Sequence, residues 1–275
     1  MNDTLKRTTL RLGRTLYALG MVGIGGQHYF NGDFVTVIVP TYPAWLGGRY
    51  FWTCVAGMGL IVTGIAIIIG KGARAAAILL GAVLLALVVL WDVPHQAAAN
   101  PGSLGAWTLC LKALALSGGA FIAAASVPGQ GSAAWDRPFV AFGGFAVAAA
   151  VAVFGVDHVV YAGFVQALVP PWIPWHLFWT YVCGAALFAA GAGIILRIRA
   201  RLAAGLLGAM ILVWVPVLHI PRALADPHGG NGNEWTGVFE ATSFAGTAFM
   251  LALMLPRRRA TAKAPAPVGV QRAGS

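Results

Sequence analysis

Eight stretches of this chain, roughly 15–33, 50–70, 75–93, 107–127, 139–160, 176–196, 202–219 and 236–255, each approach the ~20 apolar residues that cross a bilayer as a helix. No other feature narrows the fold as much. In hydrocarbon every backbone polar group must be satisfied within its own segment, so runs of this kind predict helices. The breaks between them are rich in Pro, Gly and charge: Pro40 and Pro43, Lys71 to Arg74, Pro94 to Gly102, Pro128 to Pro138, Pro170 to Pro174, the Arg197–Arg201 run, and Pro221 to Trp235. Such segments belong at the membrane interfaces. Charged residues make up only 9% of the chain and mean hydropathy is +0.79, which excludes both an ordinary soluble enzyme and a disordered polymer. The expectation is an all-α polytopic membrane protein of eight transmembrane helices.

Charge sets the orientation. Of the 18 Lys and Arg residues, all but three lie in alternate segments: the N-terminal stretch, Lys71 and Arg74, Arg137, Arg197 to Arg201, and the stretch from Arg257 onward. Arg49 and Arg222 fall in the opposite loops, and Lys112 falls inside a span. This asymmetry predicts both termini in the cytoplasm, and the expected location is a bacterial inner membrane. Lys6, Arg7, Arg11 and Arg14 precede the first apolar run much as in a signal peptide. No A-x-A-like cleavage site follows, and the run reads as a retained span. The Ala/Pro/Arg-rich stretch 256–275 reads as a disordered basic tail resting on membrane lipid. Cys54, Cys110 and Cys183 sit inside apolar runs without metal-site spacing and read as packing residues.

The two halves of the sequence match. Gly25, His28, Phe34, Val35, Val39, Pro40 and Trp45 recur 130 residues later as Gly155, His158, Phe164, Val165, Val169, Pro170 and Trp175. At an offset of 127, Phe51-Trp52-Thr53 recurs as Phe178-Trp179-Thr180, RAAAILLGA (74–82) as RLAAGLLGA (201–209), and Pro94 as Pro221. At 128, Trp107-Thr108 recurs as Trp235-Thr236, and Gly118 as Gly246. An even number of spans per copy predicts two parallel four-helix repeats related by an axis along the membrane normal. The expected organisation is an N-terminal tail (1–14), a first unit (15–127), a cytoplasmic linker (128–138), a second unit (139–255) and the basic tail (256–275).

The second unit resembles the DoxX-like membrane protein family. The residues that carry the likeness are GVDHVVYAGFVQALVPPWIPWHLFW (155–179), the basic turn before RLAAGLLGA, and LHIPRAL (218–224). The first unit repeats the plan in QHYFNGDFVTVIVP (27–40) and VPHQAAANP (93–101). The resemblance implies a four-helix membrane unit, and for some relatives an association with thiosulfate:quinone oxidoreduction or another membrane redox complex. No catalytic residue set comes with it.

Ionisable groups inside membrane spans are costly and commonly functional. Under this topology all six histidines fall on the non-cytoplasmic half. His28 and His158 end the first and fifth spans, His95 and His219 the third and seventh, His176 opens the sixth, and His228 lies in a loop. Asp92 with His95, and His219 with Arg222, are spaced three apart and would share a helix face. Asp157 adjoins His158, and Gln27 adjoins His28. These residues define a candidate outward polar site in each unit, able to relay protons or contact a quinone head group. The bland alternative is that interfacial His and Asp residues cap helix ends. Lys112 and Glu240, at equivalent repeat positions, either pair across the axis or each snorkel to water. No HExxH, haem or zinc pattern occurs, so no metal is assigned, and no nucleic-acid motif is present. Most tryptophans fall at the outer boundary as an aromatic belt, and 34–45 and 164–175 read as interfacial or re-entrant hairpins. Three functions stay open: a quinone- or redox-complex-associated subunit, a small-solute or proton transporter, and a non-enzymatic structural or assembly protein.

Overall fold

The computed structural model describes residues 2–39, 42, 43, 45–127 and 133–256, and these form helices without a strand. Helix α1 (Asp3–Asn31) starts at Asn2, whose side chain accepts from the Leu5 amide, and stops at Gly32 in the left-handed region. The elements that follow are α2 (Arg49–Ile69), α3 (Ala73–Leu87), α4 (Val93–Ala99), α5 (Leu104–Ser126), α6 (Ala133–Val160), α7 (Ala162–Leu168), α8 (His176–Ile195), α9 (Ala200–Trp214), α10 (Ile220–Ala225) and α11 (Asn233–Met254). Seven helical runs are long and apolar enough to cross a membrane: α2, α3 through α4, α5, α6, α8, α9 through α10, and α11. Of the eight predicted spans, the one outside this set is α1, which carries Lys6, Arg7, Arg11 and Arg14 at its start.

The helix bounds differ from the sequence expectation in three places. Residues 3–14, expected as a tail, are the first turns of α1. Of the expected linker, 133–138 already belong to α6, while 128–132, like the tail beyond Pro256, lie outside the described residues. The third and seventh runs do not stop at Pro94 and Pro221 but continue to Ala99 and Ala225. They do so through a single wide turn each, Val88–Asp92 and Val215–His219, in which the Val93 amide donates to the Val88 carbonyl and the Ile220 amide to Val215. A proline has no N–H and crowds the preceding turn, and one widened π turn absorbs the mismatch without ending the helix.

The long helices pack antiparallel in a closed ring, each against its neighbour in the order α1, α2, α3, α5, α6, α8, α9, α11 and back to α1, with α5 and α11 touching in the middle. Close approach is set by glycines. A Cβ at Gly25 would lie 2.8 Å from the Gly57 carbonyl oxygen, and one at Gly155 would lie 2.6 Å from that of Gly184. Likewise α1 meets α11 through Gly13 and Gly246, and α6 meets α5 through Gly143 and Gly118, where a Cβ at Gly118 would sit 3.0 Å from the Gly143 oxygen. Such contacts gain dispersion and leave no room for a side chain. A large apolar core runs from Tyr17 and Met21 through Leu116 and Ala148 to Leu207 and Leu251, with a smaller separate cluster of Val215, Ala223, Val238 and Ala241 beside it.

These pairings give the bundle two unlike ends. Residues 3–14 share one end with the turns at 70–72 and 196–199 and with the start of α6. Arg14 donates there to the Ser126 carbonyl, Arg74 pairs with Asp136 at 2.8 Å, and Arg201 donates to the Ala252 carbonyl. This is the basic end. The opposite end holds 32–39 and 45–48, the start of α5, α7 and the start of α11. It is tied by Gln27 donating to the Gly232 carbonyl, and by the Gly105 amide donating to the Tyr161 hydroxyl. The two expected hairpins at that end are not alike. Phe34, Val35, Val37 and Ile38 fold down and are buried, whereas 162–168 forms the short helix α7 with no buried residue. Residues 40, 41 and 44 lie outside the described set. Trp45, Trp172 and Trp175 are well exposed at this end, as an interfacial belt requires.

Candidate functional site

The seam between α5 and α11 carries an ion pair at the middle of the ring. Lys112 Nζ donates to Glu240 Oε2 at 2.9 Å, with the Glu240 side chain 6% and the Lys112 side chain 31% exposed. Glu240 is held in place because α11 is pinned on both sides. Ser243 donates to the Tyr17 carbonyl, and the buried Tyr17 hydroxyl donates to the Leu116 carbonyl, tying α1, α5 and α11 together. A charge taken out of water on a fixed scaffold is tolerable only with a counter-charge. Lys112 also lies within electrostatic range of Asp157 and of His219, and His219 packs on Gly237 of α11.

Two side-chain bridges flank the seam in matching positions. Thr108 Oγ1 on α5 donates to Asp157 Oδ2 on α6 at 2.7 Å, and Thr236 Oγ1 on α11 donates to Gln27 Oε1 on α1 at 3.1 Å. The threonines are 128 residues apart and their acceptors 130, the offsets by which the two halves of the sequence match. His28 and His158 follow the same rule. Nδ1 of each lies against the carbonyl four residues back, Ile24 at 2.8 Å and Phe154 at 2.7 Å. With a carbonyl as acceptor Nδ1 must carry the proton, which leaves Nε2 as a lone-pair acceptor. His28 is fully buried, and its ring meets Phe34 edge-on with centroids 5.9 Å apart.

The wide turns at 88–92 and 215–219 place the other predicted residues. Asp92 is buried, as is Gln96 one turn on, while His95 stacks on Trp91 with ring centroids 5.8 Å apart. Asp92 and His95 are therefore not brought together as an ion pair among the described residues. Arg222 binds Glu234 through two hydrogen bonds of 2.9 and 2.5 Å, and His219 lies within electrostatic range of both. His176 is half-buried at the start of α8, and His228 is exposed. Sequence reasoning missed Glu234, Thr108, Thr236 and the bidentate Arg49–Asp33 pair. The two threonines were visible as repeat-matched residues opposite Gln27 and Asp157; Glu234 and Asp33 carried no signal of that kind.

Four buried polar atoms at this end lack a partner among the described residues: His28 Nε2, Asp92 Oδ1, Asp157 Oδ1 and Glu240 Oε1. All four are acceptors. Natural structures leave few such atoms unpaired, and those left are commonly at functional sites. The chemistry this set can do is to accept protons or hydrogen bonds from a donor-rich ligand. Among the described residues no three His, Cys, Asp or Glu side chains are grouped to hold a metal ion. No protein-family model, no curated protein and no solved structure matches the chain.

Proposed function

We propose that this chain is a DoxX-like, tandemly duplicated integral membrane protein of eight spans, both ends in the cytoplasm of a bacterial cell, that contacts a quinol as a subunit of a membrane redox complex. The duplication reading is supported by the matched bridges Thr108–Asp157 and Thr236–Gln27, the matched wide turns, and the matched glycine contacts. In it α1 is the eighth span, its low hydropathy compensated by burial against α2 and α11. The basic end faces the cytoplasm because Lys6, Arg7, Arg11, Arg14, Lys71, Arg74, Arg137 and Arg197 to Arg201 gather there.

The observation that carries the functional reading is the set of four unpartnered acceptors at the other end. A quinol brings two hydroxyl donors on an apolar ring, and its oxidation releases two protons and two electrons. Asp157 and Glu240 beside Lys112 would accept such hydroxyls, while the electrons pass to a partner protein. The test is binding of a short-chain quinol to the purified full chain. Asp157→Asn and Glu240→Gln should weaken it, and the corresponding quinone, which lacks the donors, should bind less well. Equal binding of quinol and quinone, unaffected by either substitution, would refute this reading. A second reading, a pathway for protons or a small solute along the seam, is favoured by one observation: the central ion pair joins α5 and α11, one from each half. Flux in proteoliposomes that disappears in Glu240→Gln would favour it.

A further inference from the structure

The turns between α2 and α3 and between α8 and α9 have the same backbone shape built from different residues. In the first, Gly70 and Gly72 take φ of 88° and 63°, as glycine does freely. In the second, 127 residues on, Arg197 and Arg199 hold φ of 57° and 47°. An L-residue in the left-handed region is strained, and an unbranched charged side chain brings no local relief. Two arginines held where two glycines suffice point to a use for their guanidinium groups.

That use is visible beside them. Arg197 and Arg199 line a cavity of about 1230 Å³ at the basic end between α6, α8, α9 and α11, together with Arg137 and Arg201. Its remaining wall is largely apolar, with Phe145 and Leu202 among it. The glycine turn borders a much smaller hollow of about 440 Å³ that has Arg74 as its one charged lining residue. The single carboxylate in the large cavity, Asp136, is already paired with Arg74 of the other half, and Arg201 is tied by its Nε to the Ala252 carbonyl. Among the described residues no ion pair neutralises Arg137, Arg197 or Arg199. The cavity therefore joins a strongly positive rim to an apolar wall, the complement of a phosphate attached to hydrocarbon.

We propose that this cavity binds the head group of an anionic phospholipid from the membrane leaflet at the basic end, its phosphate on Arg197, Arg199 and Arg137 and its chains along the apolar wall. The proposal rests on the chain being a membrane protein, but not on the quinol site, which lies at the other end. The glycine turn of the first half, lacking the arginines, takes no such ligand.

The experiment uses the full chain in a neutral detergent with dioleoylphosphatidylglycerol as probe, dioleoylphosphatidylcholine as the uncharged-net control, and sn-glycerol 3-phosphate as the free-phosphate arm. Thermal unfolding reads the response. The expected result is a rise in Tm with phosphatidylglycerol well above that with phosphatidylcholine, and no comparable rise with glycerol 3-phosphate. The double variant Arg197→Gly/Arg199→Gly copies a turn that the same chain already folds, so it should fold with an unchanged or higher Tm in detergent alone. It should lose affinity for phosphatidylglycerol by about tenfold or more. Arg197→Lys/Arg199→Lys should retain most of the response. Equal responses to the two lipids, an undiminished response in the glycine variant, or a full response to glycerol 3-phosphate would each overturn the proposal. Quinol binding should be the same in all three proteins, so the two sites fail or stand separately.

Discussion

Removing one partner of the Lys112–Glu240 pair should cost unequal amounts depending on which is removed, and the inequality follows from burial. Lys112→Met leaves a carboxylate that is 6% exposed, with Oε1 already unpartnered and Oε2 stripped of its cation. Breaking a buried pair from this side is worth about 3 kcal/mol. Glu240→Gln leaves a lysine with its side chain 31% exposed and four flexible methylenes, enough to carry the ammonium toward the aqueous end. That substitution should cost about 1 kcal/mol, the order of a half-exposed ion pair. The double variant Lys112→Met/Glu240→Gln removes both charges and should return to within about 1 kcal/mol of the parent, giving a coupling of about 3 kcal/mol. The assay is reversible unfolding in mixed detergent micelles, followed by the fluorescence of the 10 tryptophans. If Glu240→Gln costs as much as Lys112→Met, or if the two single losses simply add in the double variant, the pair does not carry the seam.

Five further outcomes are expected. Gly143→Val and Gly246→Val, which force a side chain into the α5–α6 and α1–α11 contacts, should each lower stability by about 1–3 kcal/mol in the same unfolding assay. Gly26→Ala, in open space, should be neutral or gain a few tenths. Gly72→Ala should cost about 1 kcal/mol because of its φ, while Arg199→Gly should gain a similar amount without lipid. Thr108→Val should cost about 1–2 kcal/mol by leaving both Asp157 oxygens unpaired, and Thr108→Ser should restore most of it. In a background without the native cysteines, Lys71→Cys should react with an impermeant thiol reagent only from the cytoplasmic side, and Gly102→Cys only from the other.

Much of the fold was legible because hydrocarbon admits so few solutions. Apolar runs of span length marked seven of the helices to within a few residues, except where a proline misled. Pro94 and Pro221 looked like stops, yet the widened turns carry both helices onward, and nothing in a single sequence separates a proline that ends a helix from one that is absorbed. The N-terminal residues looked like a tail because Lys6, Arg7, Arg11 and Arg14 break the apolar pattern, but Gly13 and Gly20 already marked the face that packs on α11. In the candidate site, the repeat offset left Lys112 and Glu240 either paired or snorkelling to water, and in the structure they lie 2.9 Å apart. Spacing put Asp92 with His95, and His219 with Arg222, on one helix face, but it could not name the partners each would find. Asp92 is buried while His95 stacks on Trp91, and Arg222 pairs with Glu234. Loop-borne carboxylates such as Glu234 and Asp33 have no periodicity to betray them.

The glycine contacts run between the halves as well as within them: α1 rests on α11 and α5 on α6. A ring closed in this way fixes the order in which the protein can be made. When α1 leaves the ribosome it carries a run of four basic residues, less hydropathy than its neighbours, and a glycine face with nothing to meet. Its partner Ser243, which donates to the Tyr17 carbonyl, is 226 residues away. Until α11 arrives, α1 rests on α2 and on the Tyr17 and Arg14 bonds to α5, and the ring stands open like an unlocked clasp. Closure of the ring is thus a late event. Truncation before α11 would leave the face of α1 around Gly13 and Gly20 with nothing to meet.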